Sequence, residues 1–132
     1  MLRFTIILFT AIIFSSCQKS TGIKEIILSA DSAAINFFKG DGSMDTVIKV
    51  IIIKNKKQLG QLADYTESGT TENYRCGYDG SLHFFKMNRV IQNIDFRMND
   101  VQCMHFSFML EGKIFNTQLS PEAKQLLEGL SK

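Results

Sequence analysis

Apolar and polar positions change rhythm several times along this chain. Residues 4–14, FTIILFTAIIF, are apolar without a break and follow Arg3. Eleven such residues suit a secretory leader and fall well short of the ~20 that a bilayer-crossing helix needs. Residues 23–29 (IKEIILS) and 33–39 (AAINFFK) predict two strands, with the glycines of 40–43 (GDGS) permitting a tight loop. Residues 46–54 (TVIKVIIIK) are β-branched almost throughout. An unbroken run of that kind fits a strand covered on both faces, in the centre of a sheet. Asn55 with Gln58 three positions on reads as a capping box, and Leu59, Leu62, Ala63 and Thr66 keep helical spacing over 56–66. Residues 67–73 form a polar loop.

The second half reads as a meander. Asp79-Gly80 is a type I′ turn signal that would pair Gly77 with Leu82 and Cys76 with His83. Strands follow over 81–87, 90–98, 103–110 and 113–118, turning at Asn88-Arg89, at 99–102 and at Glu111-Gly112; the last turn sets Phe108 opposite Phe115. Period two places Met104, Phe106, Phe108, Leu110 and Phe115 on one face, and Cys103, His105, Ser107, Met109, Asn116 and Gln118 on the other. Likewise Val90, Ile94, Phe96 and Met98 oppose Asn93, Asp95 and Arg97. Ser120 as N-cap, Pro121 at the first helical position and Glu122 in the first turn open a closing helix. Its stripe of Ala123, Leu126, Leu127 and Leu130 needs a sheet to cover. The order βββαββββα is that of a single α+β domain built on an antiparallel sheet, with both helices packed on one face.

Composition changes this picture little. The chain has 132 residues, 45% hydrophobic and 21% charged, enough for one domain and one core. A net charge of +2, with Lys54, Lys56 and Lys57 as the densest basic spot, gives no nucleic-acid footprint.

Three cysteines matter more. Phe14-Ser15-Ser16-Cys17 resembles a bacterial lipobox, in which a large apolar residue and two small ones precede the cysteine that receives lipid. The resemblance covers the first 17 residues. It implies that residues 1–16 are a signal peptide and are removed. Cys17 then carries a diacylglyceryl group and anchors the protein in the membrane, and residues 17–22 form a short tether to a domain over 23–132. It also implies a cell-envelope address, and Gln18 in second place favours the outer membrane. Once Cys17 is set aside, Cys76 and Cys103 remain as a pair in an oxidising compartment. A disulfide between them closes a loop of 27 residues and adds roughly 3–4 kcal/mol.

Candidate chemistry is sparse. The Asp79-Gly80 turn would bring Cys76 to His83, and Cys103 lies two residues from His105. Those four could hold zinc in place of forming the disulfide. No phosphate loop, zinc-protease motif or serine-nucleophile motif is present in the sequence. YRCGYDGSLHFF (residues 74–85) is similar to the Tyr-x-Cys strand-turn-strand of membrane-bound lysozyme inhibitors, but that family's Ser-Gly-x-x-Tyr loop has no counterpart here. The expectation is a non-catalytic binding or accessory lipoprotein without cofactor. Its contact face would carry Asn93, Asp95, Arg97, His105, Asn116 and Gln118. A metal-handling or hydrolytic role for the Cys/His set is the alternative, and lysozyme inhibition a second one.

Overall fold

The computed structural model describes residues 20–40 and 43–132. The leader, the lipobox, Cys17 and the first tether residues lie outside them, as do Asp41 and Gly42. The described elements run α1 (Ile23–Leu28), β1 (Ser32–Phe38), β2 (Val47–Ile53), α2 (Lys56–Thr66), β3 (Gly80–Lys86), β4 (Arg89–Arg97), β5 (His105–Leu110), β6 (Lys113–Gln118) and α3 (Pro121–Ser131). All six strands form one antiparallel sheet in the order β2-β1-β3-β4-β5-β6. The domain is therefore α+β, as the sequence pattern implies.

The core lies between the sheet and the helices. Ile35, Leu82, Phe84, Ile94, Phe96 and Phe106 of the sheet are fully buried, and Ile23, Ile27, Leu59, Leu62, Ala123 and Leu127 of the helices join the same cluster. α2 is capped by Asn55, whose side chain accepts from the Lys57 and Gln58 amides. α3 is capped by Ser120, which accepts from the Ala123 amide, with Pro121 in the first turn. Phe108 pairs with Phe115 across the Glu111-Gly112 turn, where both turn residues have positive φ.

Four sequence expectations fail, each for a physical reason. Residues 23–28 form a helix, not a strand. Ile23 and Ile27 sit one helical turn apart and bury completely, and α1 packs on α2. Tertiary packing thus overrides the β propensity of isoleucine.

β2 is an edge strand, not a central one. Only its helix-side residues are covered, while Val47, Ile48, Val50 and Ile52 are exposed.

Asp79-Gly80 is no hairpin turn. Asp79 is already held in the sheet, its amide donating to Phe96 O and its carbonyl accepting from the Phe38 amide. Gly80 serves a close approach instead: a Cβ there would lie 2.3 Å from the Phe96 ring and 2.4 Å from Asn36 O.

The β3–β4 turn falls at Met87-Asn88, both with positive φ, and not at Asn88-Arg89. A bulge between Phe84 and Phe85 then breaks the alternation, so Val90 is exposed and does not share the face of Ile94, Phe96 and buried Met98.

Candidate functional site: the helix-free face of the sheet

Strand register sets polar side chains in a line across five strands on the face opposite the helices. Asn36 pairs with Ser81, Ser81 with Asp95, Asp95 with Ser107 and Ser107 with Asn116. Ser81, Ser107 and Asn116 are buried, whereas Asn36 and Asp95 are partly exposed. An ordinary solvated face would leave such residues in water. This one is recessed.

One end of the line is a directed hydrogen-bond chain. Asn93 Oδ1 can only accept, so His83 Nδ1, 2.6 Å away, donates to it. With the neutral ring, His83 Nε2 then accepts from the Ser81 hydroxyl at 3.0 Å, and Ser81 Oγ accepts from Asn36 Nδ2. Beside this chain, burial pushes the Asp95 carboxyl above its usual value, and His83, in its protonated form, offsets only part of that rise. Asp95 is the one carboxylate of the line.

The other end has a roof. Residues 68–79 leave α2, run along β6 and cross over β5. Gly69 O accepts from the Gln118 amide, the Thr71 amide donates to Asn116 O, and Thr70 bridges Thr117. Tyr74 and Tyr78 then lie on the His105 ring, with centroids 5.0 and 5.7 Å away. Cys76 is joined to Cys103 by a disulfide with a Cα–Cα distance of 6.3 Å. Asp79 closes the segment: its carboxylate accepts from Arg97 Nη1 at 2.8 Å and from the Met98 and Asn99 amides at 2.7 and 2.9 Å. An Asp at a predicted turn is thus a buried anchor.

His105 is fully buried under this roof, with Nδ1 directed at Cys103 O. Its Nε2, Arg97 Nε and Asn116 Oδ1 are buried and have no hydrogen-bond partner among the described residues. All three belong to residues on the same sheet face, on neighbouring strands.

The residues expected on one contact face therefore divide. Asn93 and Gln118 are exposed, Asp95 and Arg97 are intermediate, and His105 and Asn116 are buried. The proposed four-residue metal set does not assemble. His83 is paired across the sheet with Ala34 and Asn93, not with Cys76. Among the described residues, the cluster with metal-ligand character is Cys76, Asp100 and Cys103, with ligand atoms within 4.8 Å of one another. Both of its sulfurs are already bonded to each other, so neither is a thiolate ligand or nucleophile. Ser81, Ser107 and Asn36 were not among the residues expected on the contact face. The alternation already placed Ser107 on this face, but only register aligns it with strands distant in the chain.

A second polar feature lies at the start of α1. The Glu67 carboxylate, just past α2, accepts from the Ser20 hydroxyl and from the Thr21 and Lys24 amides. Burial pushes this carboxyl up, yet the hydrogen bonds outweigh it and hold the group below its usual value. A cavity of about 410 Å³ opens beside it, bordered by Lys24, Glu67, Gly69, Thr70 and Thr117. No protein-family model, curated protein or solved structure matches this chain.

Proposed function

We propose that this protein is a small cell-envelope lipoprotein, anchored through Cys17, that binds a partner without catalysing a reaction. The observation that carries the binding role is the recessed polar line from Asn36 to Asn116 on the helix-free face. Its one carboxylate, Asp95, lies where burial disfavours its charge. A carboxylate kept at such a cost is explained by a ligand group that donates to it. The non-catalytic reading is supported by the two paired cysteines, which remove the thiol chemistry on which the enzymatic alternative relied.

The lipid anchor is supported by the apolar stretch of residues 4–14 followed by Ser15-Ser16-Cys17. Two or three acyl chains on one residue hold a protein on a bilayer essentially for good, at ~0.8 kcal/mol per buried methylene. Mass spectrometry of the mature N-terminus tests the anchor; a first residue other than Cys17, or an unmodified Cys17, sinks it. The binding role is tested by a photo-crosslinking side chain placed at exposed Asn93 in living cells. A single envelope protein captured from position 93, and lost with Asp95→Asn, is the expected result. Equal capture from exposed Glu122, outside the sheet, would overturn it.

A further inference from the structure

β2 forms an edge of the sheet that no other strand covers among the described residues. Val47, Ile48, Val50 and Ile52 expose 45–63% of their surface on one strand, while the strand's outer side pairs with no strand among the described residues. Soluble proteins normally blunt such an edge with charge, proline or a covering segment. Between Val47 and Ile53 the only charge is Lys49. Its ammonium is engaged elsewhere, with the Ser131 and Lys132 carbonyls at the end of α3.

From this geometry we infer that β2 pairs, antiparallel, with β2 of a second copy of the chain, joining two six-stranded sheets. Three observations select a second copy. First, the strand is self-complementary. The register shift near Phe38 leaves Ile48 as the extra, bulged residue, so the regular stretch is 49–53. A two-fold axis at Ile51 lays that stretch on itself. Val50 then faces Ile52 of the second copy on the helix-free side, and Lys49 faces Ile53, so no lysine opposes a lysine.

Second, the four side chains expose on the order of 400 Å² per copy, as much as the largest apolar patch of a typical monomer, which is often functional. Edge pairing covers only the flanks of these side chains, which project from the sheet faces, so the contact stays below the roughly 1,200 Å² of stable specific interfaces. The pairing is therefore reversible and concentration-dependent.

Third, the opposite edge is not available. β6 already bonds Gly69 and Thr71 through Gln118 and Asn116. Head-to-tail stacking of β2 on β6 is blocked there, and β2-on-β2 pairing closes at two copies.

This inference does not depend on the lipid anchor or on the polar line, so it can fail without them. Sedimentation of the intact protein should show a reversible rise to twice the chain mass with concentration, lost when Val50→Lys and Ile52→Lys are combined. A mixture of Val50→Cys chains with Ile52→Cys chains should form a disulfide between positions 50 and 52, mapped by mass spectrometry. Monomer at every concentration, with Cys76–Cys103 formed and no 50–52 link, overturns the proposal. So does protection, in a monomer, of those β2 amides that point away from β1, which would assign the edge to another segment or partner.

Discussion

The two ends of the sheet obey opposite rules. At β6 the chain covers its own edge: residues 68–71 bond to Asn116 and Gln118, including a hydrogen bond from the Ser68 hydroxyl to Gln118 O. That segment is then tied down twice more, by Cys76–Cys103 and by the Asp79 carboxylate. At β2 no described residue covers the edge, which is lined with isoleucine and valine. A bare apolar edge is an aggregation hazard, and this protein demonstrably has the means to close one. Closing β6 while leaving β2 open limits strand addition to a single edge.

Perturbations should separate the two ends, beginning with the strongest. Asp79→Ala leaves the Arg97 guanidinium and the Met98 and Asn99 amides without their acceptor in a buried place. Breaking such a pair costs about 3–5 kcal/mol, read as a lower midpoint in chemical denaturation. Replacing Cys76 and Cys103 together by Ala should cost roughly 3 kcal/mol. Hydrogen exchange should rise along 68–79 and β6 while β2 is unchanged; equal loosening at both ends would break the comparison. Gly80→Ala forces a Cβ against Asn36 O and Phe96, an overpacking cost of about 1–3 kcal/mol.

Two carboxylates give smaller effects of opposite sign. Glu67 is held below its usual value. Its contribution is present above its unfolded value and is lost as pH falls through the lower folded value. Glu67→Gln should therefore destabilise the neutral protein by about 1 kcal/mol or less, the size of a lost cap, and flatten the acid limb of the stability curve. Asp95 is raised, so its cost is felt above its folded value and disappears below its unfolded one. Asp95→Asn should stabilise the neutral protein slightly, with the gain vanishing in acid. Smallest of all, Ile52→Thr on the open edge should leave monomer stability within about 0.5 kcal/mol.

What the sequence reveals follows how far apart the deciding residues are. The α3 cap, the Glu111-Gly112 turn and the Asn55 cap were readable because every deciding group lies within a few positions. α1 was not, since its burial comes from α2 and its hydrogen-bond acceptor is Glu67, itself more than forty positions away. The run at β2 misled because period-free apolar sequence fits a strand in the middle of a sheet as well as an apolar edge. Asp79-Gly80 misled because one dipeptide can mean a turn or a buried anchor beside a close contact. The polar line emerged only with register. His105 was placed on the correct face, but its burial depends on Tyr74 and Tyr78 in a segment that carries no periodic pattern.

On the proposed anchor at Cys17, the Glu67 carboxylate would also change the mechanics of the molecule. By gripping Ser20, Thr21 and Lys24 it draws the second half of the tether over 17–22 onto the folded domain. Only Gln18 and Lys19 stand between that grip and Cys17, a reach of roughly 10 Å at full extension. A lipidated chain would then stand on the bilayer less like a balloon on a string than like a post in a socket, with restricted tilt. Because Gly69 and Thr117 border the cavity beside that grip, the foot of such a post would be at the β6 end. β2 lies at the other end of the sheet, five strand spacings or about 24 Å away, where neighbouring anchored copies would meet it.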